Sequence, residues 1–370
     1  MRCLGIATLA LLAGLITGVS RSLAADPFRG ADPAWSLLHE PAVVQELALR
    51  PTQREQFRGL LDELDAKFFP LRNKPTDEAA NGAAEILADA TSRLEALLSE
   101  PQFRRLTELQ TRQQGTTALL QAGMMKRMNY KPQQKERLER VISETLAATR
   151  DLEKRVGNGE PREPLEREYA ELKRDELRKV ADVLTPAQRS LWMKTLGRDF
   201  DLTTLGRPEF NAPELIDSGD WLNSAPLTIN ALAGKVVVVH FYAFGCSNCI
   251  NNYPVYLDWQ ERFRDKDVVI LGIHTPETTA EQESAAVKTK ADRAGFEFPV
   301  LIDGTKANWN AWGNSMWPSV YLVDKRGYLR HFWPGELKWQ GATGDQWMRE
   351  RIEELLAEPA SARSNDERPF

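Results

Sequence analysis

The spacing of apolar positions changes character once along the chain. From about residue 34 to 198, apolar side chains recur every three or four residues, the period of helices with one buried face. Phe57, Leu60, Leu61, Leu64 and Phe68 predict a first helix after Pro51. Pro70 and Pro75 interrupt it, and Ile86, Leu87, Ala90, Leu94, Leu97 and Leu98 predict a second. Ser99-Glu-Pro-Gln102 has capping-box spacing and opens a third helix through Phe103, Leu106 and Leu109. No strand pattern interrupts this region.

The helical pattern repeats itself. Residues 38–64 match 119–145 at an offset of 81, with Pro51 on Pro132, Gln53 on Gln134, Glu55 on Glu136 and Phe57 on Leu138. The second copy continues along Leu138, Val141, Ile142, Leu146, Leu152 and Val156. After a break at Gly157–Pro161 and a further helix, Thr185-Pro-Ala-Gln188 repeats the capping-box spacing of Ser99. Two copies of a multi-helix unit are expected.

Beyond residue 225 the pattern becomes β-branched runs alternating with helical stretches. Strands are expected at 227–229, 236–243, 268–274, 299–303, 320–324 and 328–332, the last two as a hairpin. Helices are expected at 249–264, 278–294, 305–312 and 344–357. Strands alternating with helices predict an α/β domain, a central mixed sheet flanked by helices. The expected plan is two domains: an all-α helical repeat region at 26–204 and the α/β domain at 205–358, with a disordered tail at 359–370.

Composition narrows the function. With 42% apolar and 27% charged residues, the chain has the make-up of a soluble globular protein. Its 48 basic against 53 acidic side chains, net −5, supply no basic field, so no nucleic acid is expected as a partner. Arg2, the apolar run 4–19 and the small residues Ala24-Ala25 read as an export signal over residues 1–25. An uncleaved N-terminal membrane anchor is the competing reading, but the apolar run is shorter than the ~20 residues that span a bilayer, so no stable membrane span is expected once the signal is removed. An exported, periplasmic or extracytoplasmic location follows. Cys3 leaves with the signal, and Cys246 and Cys249 remain.

Those two cysteines stand at the junction of the Val236-Val-Val-Val-His-Phe-Tyr strand and the following helix. A C-x-x-C pair in that place is a redox signature. Half of a zinc site is the competing reading, but a closed zinc site needs about four ligands and the four histidines are scattered. No metal and no cofactor are expected. A thiol at a helix N-terminus faces unpaired N–H groups and the positive end of the helix dipole, which favour the attacking thiolate.

The segment from Lys235 to Pro254 is similar to the active-site segment of the thioredoxin superfamily, in particular of TlpA/ResA-like reductases and the C-terminal redoxin domain of DipZ-type proteins. Ile270–Glu277 and Trp317–Asp324 extend the resemblance, which covers about residues 210–357. It implies a thioredoxin-like fold, Cys246 as nucleophile and Cys249 as resolving thiol. It also implies a cis-proline at Pro318, which with Trp317 and Gly245 would border the substrate, and an active-site carboxylate at Glu277. The alternatives are an ordinary proline at the start of a strand and an exposed loop carboxylate. Gly245 departs from the aromatic or Thr of most relatives. His240 stands where thioredoxins place a buried acid; proton relay and a hydrogen-bonded core position are both open. In the helical region, x-Pro-x-Gln and Thr-Pro-x-Gln loosely resemble the motifs of Spy/CpxP-type periplasmic helical proteins.

The expected function is an exported thiol–disulfide oxidoreductase, a reductase of protein or small-molecule disulfides supplied by an electron-donating redox partner. A periplasmic protein-binding or chaperone-like protein with an accessory redoxin domain is the alternative. A peroxiredoxin reading is weaker, because no Pro/Thr-rich setting surrounds Cys246.

Overall fold

The computed structural model describes residues 33–202, 205–206 and 209–359. The expected signal at 1–25, and the expected tail apart from Pro359, lie outside them. The described residues form two compact units: residues 33–53 with 93–206, and residues 54–92 with 209–359.

The first unit is helical. It contains α1 (Pro33–Leu38), α2 (Pro41–Leu47), the start of α3 (Pro51–Phe68), the end of α4 (Thr76–Leu97), α5 (Glu100–Gln114), α6 (Ala122–Met128), α7 (Pro132–Gly157), α8 (Arg162–Val183) and α9 (Pro186–Leu196). Four capping-position glutamines of this unit form two hydrogen-bonded pairs. Gln53 accepts the Arg50 N–H and donates to the Leu97 carbonyl and to Gln102, while Gln102 donates back to the Leu47 carbonyl. Gln134 accepts the Lys131 N–H and donates to the Val183 carbonyl and to Gln188, while Gln188 donates to the Met128 carbonyl. Each pair thus joins two helix starts and two helix ends, using donors and acceptors that helix termini leave unmatched. Leu119, Met128, Leu138, Val180 and Trp192 pack beside the second pair.

The second unit is built on a six-stranded sheet. Its strands are β1 (Trp221–Leu222), β2 (Val236–Tyr242), β3 (Val268–His274), β4 (Val300–Ile302), β5 (Ser319–Val323) and β6 (Leu329–Pro334), in the order β1-β4-β3-β2-β5-β6. β2, β3 and β4 run parallel; β5 and β6 form an antiparallel hairpin beside β2. The strand expected at 227–229 is absent: a 3-10 turn follows at Asn230–Leu232, and the short strand lies earlier, at Trp221–Leu222, antiparallel to β4. A run of two alternating residues is too short to show a period of two.

Central β2 is buried along its whole length, so alternate residues feed different cores. Val236, Val238 and Tyr242 pack against α10 (Ser247–Arg262), α11 (Ser284–Ala294) and α13 (Gly344–Ala357). Val237, Val239 and Phe241 point to the other face, with Trp309 of α12 (Ala307–Ala311), Trp312, Tyr321 and Phe69. Phe69 shows why residues 54–92, expected within a helical domain ending at 204, belong with the sheet. The 3-10 turn Phe69–Asn73 contributes Phe69 to that core, and Arg72 reaches the Trp312 carbonyl at 2.5 Å and the Tyr321 hydroxyl.

Candidate redox site

Strand β2 ends at Tyr242, the chain turns through Ala243–Gly245, and α10 begins at Ser247 with Cys246 as its N-cap. The Cys246 sulfur accepts the Cys249 N–H at 3.4 Å. One helical turn separates the two thiols, and both are free. Cys246 is half-buried, whereas Cys249 is fully buried beneath it. Their acidities diverge, each for its own reason. The Cys249 thiol hydrogen-bonds Cys246 and lowers its pKa to about 7, helped by the Cys249 and Asn248 N–H groups and opposed by burial and by the Glu277 charge. Burial, the Cys246 thiolate and Glu277 push Cys249 far up. One thiol is poised as an anion near neutral pH and the other is held protonated.

The Trp317–Pro318 peptide is cis, and Pro318 leads into β5. Trp317 is fixed on two sides: its indole N–H donates to the Thr275 carbonyl at 3.1 Å, and its ring stacks on Trp309 at 3.9 Å. Trp317 packs against the cores on both faces of the sheet, and Cys246 packs against the one on the α10 side. Glu277 is exposed on the loop after β3, and its charge acts on both thiols. Exposed Ile250 and Met316 supply apolar surface beside Cys249 and Trp317 in sequence.

His240 lies on the α10 face of β2, stacked on Tyr256 at 4.0 Å and edge-on to Phe298 at 5.2 Å. Neither ring nitrogen has a hydrogen-bond partner among the described residues, and burial lowers its pKa to about 3. A group so resistant to protonation is poorly suited to relay protons near neutrality. The hydrogen-bonded core alternative also fails, because the neighbours are aromatic faces.

Sequence reasoning missed Glu281. It is only 2% exposed, in a 3-10 turn (Thr279–Glu281) four residues after Glu277. Its Oε1 accepts the Gly245 N–H at 2.6 Å; its Oε2 accepts the Glu277 and Thr278 N–H groups at 2.7 and 2.9 Å. The Thr278-x-x-Glu281 capping-box spacing was the available signal. It pointed to a local cap, with no hint of Gly245. Among the described residues no group of histidine, cysteine and carboxylate side chains could hold a metal ion.

Residues 207–332 match the AhpC/TSA family model. The C-terminal unit carries a thioredoxin-like domain. Protein DipZ of Mycobacterium tuberculosis is 34% identical over 128 residues, 34% of this chain and 18% of DipZ. The thiol-disulfide oxidoreductase YkuV of Bacillus subtilis is 25% identical over 146 residues, 40% of this chain and 94% of YkuV. The chicken NHL repeat-containing protein 2 is 30% identical over 131 residues, 35% of this chain and 18% of that protein. The chain thus spans under a fifth of DipZ.

Proposed function

We propose that the chain is an exported thiol–disulfide oxidoreductase that reduces protein or small-molecule disulfides through Cys246 and Cys249. One observation carries this reading: Cys246, with its pKa lowered to about 7, caps a helix directly over a buried, protonated Cys249. The Cys246 thiolate attacks one sulfur of the substrate disulfide, and the other leaves as a thiolate that takes up a proton. Cys249 then loses its proton and attacks Cys246 of the mixed disulfide. The second substrate thiol is released, and the Cys246–Cys249 disulfide keeps the two-electron balance. An electron-donating partner restores the dithiol. Trp317, Pro318 and Gly245 border the substrate; Ile250 and Met316 offer it apolar contact. The helical unit would hold partners.

The test is insulin or small-disulfide reduction by the full chain with a chemical reductant. Cys246→Ala should abolish turnover and Cys249→Ala should trap mixed disulfides. Full activity of Cys246→Ala sinks the reading. The reduction potential of the couple tests the direction: a value near −270 mV suits a reductase and one near −120 mV an oxidase.

A further inference from the structure

The turn before Cys246 is held from outside its own segment. Gly245 donates its N–H to Glu281 at 2.6 Å, and Phe244 donates its N–H to the His274 Nε2 at 3.4 Å. The His274 and Phe244 rings also stack, 5.4 Å apart. Through its second oxygen, Glu281 grips the Glu277 and Thr278 N–H groups. A single buried carboxylate therefore ties the loop after β2 to the loop after β3 with three charge-assisted hydrogen bonds, the stronger class.

Gly245 fits this arrangement for a steric reason. A Cβ built there would lie 2.6 Å from the Glu281 Oε1 and 3.4 Å from its Cδ. A side chain at 245 would therefore require the Glu281 carboxylate to shift from its bond to the Gly245 N–H. The glycine serves close approach, since its backbone is not in the left-handed region.

We propose that Glu281, with Gly245 as its steric counterpart, is the positioning residue for the Cys246 thiolate: it fixes the 244–246 turn so that Cys246 meets the α10 N-terminus. The same carboxylate sets where the loop presents Glu277 to the thiols. Glu281 touches no reacting atom in this scheme and acts through backbone geometry. The inference rests on Cys246 as nucleophile, and its failure is separable from failure of that reading.

The experiment measures iodoacetamide alkylation of Cys246 against pH, together with kcat and KM for disulfide reduction. It uses the full chain as wild type, Glu281→Gln, Glu281→Ala, Gly245→Ala and the double alanine variant, each checked for folding by circular dichroism. Glu281→Ala should slow alkylation at pH 7 by about tenfold, the scale of losing a charge-assisted hydrogen bond. Its alkylation midpoint should rise, and kcat should fall more than KM changes. Glu281→Gln, which keeps one acceptor, should fall between it and wild type. Gly245→Ala should resemble Glu281→Ala, and the double variant should be no worse than either. Glu281→Gln keeps the test decisive if the alanine variants do not fold. An unmoved alkylation profile in folded Glu281 variants overturns the proposal, as do independent, multiplying effects of the two alanines. Retained activity of Cys246→Ala would instead overturn the underlying reading.

Discussion

Arg72 donates a hydrogen bond to the Tyr321 hydroxyl across 249 positions of sequence. The same guanidinium reaches the Trp312 and Phe69 carbonyls at 2.5 and 3.0 Å and lies 3.8 Å over the Phe69 ring. Burial lowers the Arg72 pKa, and Tyr321 counteracts it. The residue ties the Phe69–Asn73 turn to the segment between α12 and the cis-proline.

Removing that tie should destabilise the C-terminal unit. Arg72→Ala leaves the Trp312 carbonyl without its charged donor and uncovers Phe69. The expected cost is about 2–3 kcal/mol, since hydrogen bonds to charged groups contribute more than neutral ones. Arg72→Lys cannot reproduce the forked geometry and should recover only part. Urea unfolding followed by tryptophan fluorescence measures both; an unchanged midpoint in Arg72→Ala would contradict the packing role.

The acidity of Cys246 should respond to its two neighbours in opposite directions. Alkylation should be half-maximal near pH 7 in the wild type, matching the pKa of about 7. Cys249→Ala removes the leading favourable hydrogen bond, so the midpoint should rise. Glu277→Gln removes a repelling charge, so the midpoint should fall, by about half a pH unit for an exposed charge. A shift of the Glu277 variant upward would remove that residue from the site.

Two buried histidines make stability dependent on pH. Burial lowers His240 to about 3 and His274 to about 4, against about 6.5 for an ordinary histidine. Below pH 6.5 the unfolded chain binds protons that the native chain refuses until pH 4 and 3. Stability is therefore full above about 6.5 and is lost as pH falls toward 4, by up to about 1.4 kcal/mol per pH unit for each histidine. Urea midpoints at pH 7.5 and 5 should show the drop, and His240→Leu should show a shallower one. Equal slopes would mean that His240 is already charged in the native state.

In the helical unit, Gln134→Ala deletes bonds to the Lys131 N–H, the Val183 carbonyl and Gln188. A loss of about 1–3 kcal/mol is expected, the range for leaving such groups unmatched. Gln53→Ala should cost a similar amount, because its bonds follow the same scheme. Thermal melts read by far-ultraviolet circular dichroism compare them. A surface-like effect below about 0.5 kcal/mol would reduce the glutamines to simple caps.

The sequence by itself determined most of the elements and placed the two cysteines at a strand-to-helix junction. Val236–Tyr242, Val268–His274 and Gly344–Ala357 occupy essentially their expected places, because side-chain period reports directly on which face is buried. The place of the cysteines and the capping glutamines were legible for the same reason, each being a local signal with a local cause, whereas the cis bond at Pro318 was implied only by the resemblance. Tertiary structure decided what met across the chain. Gly245 stood out as a departure, but only folding brought Glu281 to 2.6 Å from its N–H. His240 had the residue type of a proton carrier, and a shell of aromatic rings took that chemistry away. Residues 54–92 carried a helical period like their neighbours, yet Phe69 and Arg72 placed them against the sheet. Periodicity encodes that a face will be buried; the partner that buries it is fixed only when distant segments pack.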